Sequence, residues 1–96
     1  MALQGFFKAL DQCEIKIIKM TRGEWGEIFF DDNLIHISRD ISLDKQLQAL
    51  LHECLHWRWP NRTEGEILAL ESTKWGQLKP VELRALLDAL YPLSQE

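Results

Sequence analysis

The stretch LHECLH, residues 51–56, lies within the segment that decides the fold. Leucines recur through residues 42–58 at helical spacing, Ser42 is a suitable N-cap, and a proline follows the segment, so we predict one helix here. On a helical wheel, His52 and His56 fall nearly opposite the leucine stripe. We therefore expect the helix to pack its leucines on a sheet and to turn its histidines outward.

The spacing of His52, Glu53 and His56 matches the HExxH pattern. Histidines four residues apart lie one turn apart on the same helix face, so both imidazoles can reach one metal ion. This spacing suits zinc, and the carboxylate beside the first histidine is placed to act as a general base on a zinc-activated water. The pattern predicts Zn²⁺ as the cofactor, the two histidines as metal ligands and Glu53 as the catalytic residue.

A catalytic zinc site of this type needs a third protein ligand, and the next segment offers two candidates. Thr63 and Glu66 form a capping-box pattern that predicts a second helix over residues 63–78. Its wheel places Glu64 and Glu71 within the inward face, where an unpaired carboxylate is costly. The apolar members of that face are Ile67, Leu68, Trp75 and Leu78. The chain positions leave the third ligand open between the two glutamates.

The residues before the HExxH helix change from a helical to an extended pattern. Apolar residues at helical spacing predict a short helix over residues 3–10. Three segments rich in Ile, Phe and Trp follow at residues 14–20, 25–30 and 34–38, separated by turn residues. We predict three antiparallel strands in a meander.

The last segment is predicted to form a third long helix. Pro80 begins it, leucines mark one face, and Pro92 ends it after Tyr91. Because no linker or repeat divides the sequence, we predict a single α+β domain over residues 1–96. A small three-stranded antiparallel sheet would pack against the HExxH helix and the following glutamate helix, with N- and C-terminal helices beside them.

The composition restricts the classes of partner. The chain has 15 acidic and 11 basic side chains and a formal net charge of −4, so a nucleic-acid partner is not expected. No apolar run is long enough to span a bilayer, and the first residues do not resemble a secretory signal, so no membrane partner is expected. The cysteines, Cys13 and Cys54, are expected to be thiols, and we predict a cytoplasmic location.

The HExxH motif and the order of elements resemble the gluzincin metallopeptidases, in particular the minigluzincins, their smallest members. The resemblance covers about residues 14–78, and only HExxH is a specific motif within it. The zinc ligands that it implies are His52, His56 and Glu64. It also implies Glu53 as general base and acid, and an edge strand that holds an extended peptide by main-chain pairing. We assign residues 34–38 to that strand.

The glutamate helix departs from the family pattern at two positions. A small residue and an acidic residue often follow the glutamate ligand in gluzincins, whereas Ile67 and Leu68 stand at these positions here. The carboxylate that usually accompanies a zinc histidine is therefore missing from its expected place.

These observations predict a single-domain zinc metallopeptidase that hydrolyses a peptide or protein substrate. The alternative is a non-catalytic domain in which zinc only stabilises a small core and the leucine-rich helices bind a partner protein. The C-terminal helix has three open roles: it completes the core, covers the cleft and keeps the enzyme latent, or self-associates with another copy. A zinc ion joining two helices would also stabilise a chain of 96 residues that has no disulfide framework.

Overall fold

Turn residues and helix caps divide the chain into a small sheet and four helices. A 3₁₀ turn at Gly5–Lys8 leads into helix α1 (Ala9–Gln12), and the strands are β1 (Glu14–Ile18), β2 (Gly26–Phe29) and β3 (Leu34–Ser38). The remaining helices are α2 (Leu43–Arg58), α3 (Glu64–Gln77) and α4 (Pro80–Leu90). This computed structural model describes residues 4–92, so the first residue of the predicted helix 3–10 and both ends of the predicted domain lie outside it.

The predicted helix starts are confirmed by their capping hydrogen bonds. The Lys45 N–H donates to Ser42 Oγ at 3.4 Å, which caps α2. The Thr63 N–H donates to Glu66 Oε1 at 2.9 Å and the Glu66 N–H donates to Thr63 Oγ1 at 3.2 Å, which completes the capping box of α3. The caps fix where both helices begin, and the helix repeat then determines which side chains share a face.

The sheet is mixed, so the predicted antiparallel meander is wrong. The strand order is β1-β3-β2, with β3 parallel to β1 and antiparallel to β2. Residues 19–25 form a connection long enough to carry β2 past the place that β3 later fills. Apolar patterning identifies strands but does not distinguish parallel from antiparallel neighbours, which is why the sequence did not reveal this order.

The central position of β3 corrects the assignment of the edge strand. Its residues Ile35 and Ile37 are completely buried, and both of its edges are paired. Residues 34–38 therefore cannot present a free edge to a substrate. The edge strand on the side of the HExxH helix is β2.

One hydrophobic core lies between the sheet and the helices. The buried apolar side chains of α2 include Leu47, Leu50, Leu51, Cys54 and Leu55. The predicted stripe also included Leu43, which is 46% exposed at the start of the helix. Helix α4 packs against α2 and β1 and adds Leu86 and Leu90 to the core. Latency or self-association through α4 stays a prediction. Within residues 4–92, no helix has the length and hydrophobicity needed to cross a membrane.

Helix α3 contributes much less to this core than its wheel predicts. Ile67 is its only buried residue, while Trp75 and Leu78 are partly buried against the core. Leu68 is 50% exposed, so its predicted inward orientation is wrong. The inward face of α3 is therefore narrow and includes polar residues.

Candidate metal centre

Helices α2 and α3 pack side by side and place four titratable side chains at their interface. His52 and His56 lie one turn apart on the face of α2 opposite its buried leucines. Glu64 is the first residue of α3, and Glu71 follows two turns later on the same side. The Thr63 cap fixes where α3 begins, and the packing of α3 on α2 directs both carboxylates toward the histidines.

Three of these side chains converge on one point. His52 Nε2 and His56 Nε2 are 3.1 Å apart, and Glu64 Oε1 lies 3.1 Å from the first and 2.7 Å from the second. Ligand atoms placed tetrahedrally around zinc are about 3.3 Å apart, since each bond is about 2.0 to 2.1 Å long. The triangle of atoms is thus close to one face of such a site. His52, His56 and Glu64 form a group that could hold a metal ion.

Glu71 contacts the opposite side of the His52 ring. Its Oε1 lies 2.6 Å from His52 Nδ1, and the two side chains are 12% and 13% exposed. The sequence left open which of the two glutamates joins the histidines. In the structure, Glu64 contacts Nε2 of both histidines, whereas Glu71 contacts Nδ1 of His52. The glutamates are seven residues, or two turns, apart on one helix face, and this spacing could have predicted that both reach the histidines.

Glu53 lies beside this group, between α2 and the edge strand β2. The residue is 5% exposed, and its pocket is completed by the backbone of Gly26. A Cβ atom at position 26 would stand only 3.3 Å from Glu53 Oε2, so the absence of a side chain lets the strand approach the carboxylate. No sequence pattern indicated that Gly26 borders the site.

Burial and charge shift the proton affinities of these groups. Burial raises the pKa of Glu53, the charge of His52 opposes this, and neighbouring carboxylates add to it, which brings the pKa to about 7. Burial lowers the pKa of His52, but the hydrogen bond with Glu71 and the surrounding carboxylates outweigh it and raise the pKa to about 9. Burial likewise raises the pKa of Glu64, but its contacts with His56 and His52 lower it overall. A cation between these ligand atoms would compete with protons for the same place.

An open cleft of about 550 Å³ gives access to the group. Strand β2 forms one wall and helices α2 and α3 form the other. Large apolar residues that remain exposed in it are Trp25, Phe30 and Leu68. None of residues 80–92 lines this cleft.

Comparisons of the chain with protein-family models, with curated proteins and with solved structures gave no match. The likeness to gluzincins is an interpretation of the motif and the order of elements. The geometry supports a candidate His₂Glu metal site that lines an open cleft.

Proposed function

We propose that this chain is a zinc-dependent metallopeptidase of the gluzincin type. The proposed metal ligands are His52, His56 and Glu64, and the proposed general base is Glu53. The observation that carries the proposal is the convergence of the three ligand atoms within 3.1 Å of one another, next to a buried carboxylate and an open cleft.

The donor set favours zinc as the metal. Two imidazole nitrogens and one carboxylate oxygen form the ligand set of several zinc hydrolases, and three protein ligands leave a further position free. Zinc bound there would supply a Lewis acid that polarises the scissile carbonyl and acidifies a water molecule.

Glu53 has the properties of a general base in this reaction. Its pKa near 7 allows the carboxylate to accept a proton at neutral pH and to release it again. In peptide hydrolysis it would take a proton from the attacking water and deliver it to the leaving amine nitrogen. Its burial beside Gly26 keeps bulk water from most of the carboxylate and fixes its place at the wall of the cleft.

Strand β2 is the proposed substrate-binding edge, in place of residues 34–38. The Ser38 N–H donates to the Trp25 carbonyl at 2.8 Å, which makes these residues a hydrogen-bonded pair between the two chain segments. The alternation of an antiparallel ladder then directs the main-chain groups of Gly26 and Ile28 away from β3. These groups lie at the cleft, where an extended peptide can pair with them.

The test combines metal analysis with cleavage of a peptide library. We expect about one zinc per chain in the purified protein, and loss of zinc in His52→Ala. Glu53→Gln should retain zinc and lose hydrolysis by about 100-fold or more, because the general base is removed. The matched control Glu14→Gln changes an exposed carboxylate outside the cleft and should leave both zinc content and cleavage unchanged. Cleavage by Glu53→Gln at the wild-type rate would refute the mechanism.

A second candidate function is a non-catalytic domain in which zinc serves only to join two helices and the protein binds a partner. The weak attachment of α3 favours it, since Ile67 is the one buried residue of that helix. This candidate predicts zinc binding without turnover of any library peptide. It also predicts that Glu53→Gln leaves partner binding unchanged, so the same variant separates the two functions.

A further inference from the structure

We infer that Glu71 is a positioning residue that fixes the tautomer and orientation of His52, so that the Nε2 lone pair faces the other two ligands. The inference rests on the proposed zinc site. It concerns a glutamate that is not itself one of the three converging ligands.

The first step is the chemistry of the contact between Glu71 and His52. A neutral imidazole carries a proton on one ring nitrogen and a lone pair on the other, and an ionised carboxylate can only accept a hydrogen bond. With Glu71 Oε1 at 2.6 Å, the Nδ1–H donates to Glu71. In the neutral ring that binds a metal ion, the lone pair is then on Nε2, which is the atom that points toward His56 and Glu64.

The second step is the burial of this contact. Both side chains are nearly nine-tenths buried, with 13% of His52 and 12% of Glu71 exposed. Water therefore competes weakly for the hydrogen bond, and the ring has little freedom to turn. Carboxylate partners of metal-bound histidines act in this way, and their loss typically weakens metal binding by about 10- to 100-fold.

The third step is the position of Glu71 on α3. The residue one turn after Glu64 is Leu68, which is 50% exposed in the cleft and offers no acceptor to a histidine. Glu71 lies one turn further along the same helix face and reaches the ring. Within residues 4–92, no side chain makes an equivalent contact with Nδ1 of His56. The positioning is therefore specific to one of the two imidazoles.

The experiment measures zinc affinity, by competition with a chromophoric chelator, in wild-type protein and in two variants at position 71. Glu71→Met keeps the length of the side chain and removes the acceptor, and we expect zinc affinity to fall about 10- to 100-fold. Glu71→Gln keeps an acceptor oxygen and should cause a smaller loss. Ile67→Val is the control, because it removes one buried methyl group from the packing of α3 and leaves the Glu71 carboxylate in place.

A spectroscopic readout distinguishes positioning from a purely structural role. In the zinc-loaded wild type, NMR of the ¹⁵N-labelled rings should show a downfield N–H proton on His52 Nδ1. This signal should move or disappear in Glu71→Met and persist in Ile67→Val. The inference is overturned if Glu71→Met binds zinc as tightly as wild type. It is also overturned if Ile67→Val and Glu71→Met lower the melting temperature equally and weaken zinc binding to the same extent.

The outcomes separate this inference from the proposed function. Zinc binding that depends on Glu71, in a protein that cleaves no peptide, would support the inference and contradict the peptidase. Zinc-dependent cleavage that is unaffected by Glu71→Met would do the reverse. A wild-type chain that binds no zinc would overturn both.

Discussion

Helices α2 and α3 each provide two side chains to the candidate metal centre, yet they are attached to the protein in different ways. Helix α2 has eight buried residues among 16, whereas α3 has one among 14. The core therefore holds the histidines in place, while α3 is attached by one buried residue, by partly buried side chains and by its polar contacts with the histidines. The two imidazoles are thus fixed by the packing of α2, whereas the two carboxylates of α3 are held partly by their own contacts with those imidazoles.

The largest expected effect on stability comes from truncation of a core side chain of α2. Leu51→Ala removes a completely buried leucine and should lower the free energy of unfolding by about 2 to 5 kcal/mol. Chemical denaturation should show this as a lower midpoint for the whole domain.

Ile67→Ala, by contrast, should expose the amides of α3 to hydrogen exchange while those of α2 stay protected. Equal loss of protection in both helices would show that α3 is held as firmly as α2.

Removal of the metal should have the next largest effect, centred on α3. Zinc at 100 times its dissociation constant would stabilise the folded state by about 2.7 kcal/mol, which chelation would abolish. We expect a lower melting temperature after chelation and faster hydrogen exchange in residues 64–77. His52→Ala should be insensitive to chelator. An unchanged melting temperature would mean that the core alone holds α3.

A change of pH should have a smaller effect than removal of the metal. It should change stability and zinc affinity in opposite directions. The folded-state pKa of His52 is raised from 6.5 to about 9, so the stability that it contributes to the metal-free protein is present below pH 6.5 and is lost as the pH rises through about 9. Zinc affinity should instead rise with pH, because protons compete for the ligand atoms. Thermal unfolding at pH 6 and pH 9, with His52→Gln as the control, would detect the first trend. A metal-free wild type whose melting temperature rises with pH would contradict it.

The smallest effect on stability is expected at Leu68. This side chain is 50% exposed, so Leu68→Ala should change the free energy of unfolding by less than about 0.5 kcal/mol. Because it lines the cleft, the same substitution should raise KM for apolar peptides more than it changes the melting temperature. A stability loss comparable to that of Ile67→Ala would show that α3 is packed more firmly than its burial indicates.

The sequence predicted the local features of the site well. Ser42 and Thr63 identified the helix starts because caps act through hydrogen bonds within a few residues. The HExxH spacing placed two imidazoles on one face because the helix repeat is fixed. The narrow core face of α3 was less predictable, since Leu68 and Ile67 are equally apolar and only the packing of α3 on α2 decides which one is buried.

Long-range features were beyond the sequence pattern. The order β1-β3-β2 depends on which strand edges meet, and the apolar patterns of the three strands do not encode that choice. The separate positions of Glu64 and Glu71 depend on how α3 packs against α2. A shift of α3 by two turns would place Glu71 where Glu64 stands, so spacing alone left the choice open.

Gly26 has a consequence for the variation that this chain can tolerate. It lies in a strand, without the positive φ that favours glycine at Gly23, so its backbone conformation does not require glycine. A methyl group there would lie 3.1 Å from both the His36 carbonyl oxygen and Ile37 Cδ1, and 3.3 Å from Glu53 Oε2. Any side chain at position 26 would therefore enter the space between the sheet and the buried carboxylate of Glu53. In a saturation mutagenesis screen, this edge-strand residue should behave like a core position.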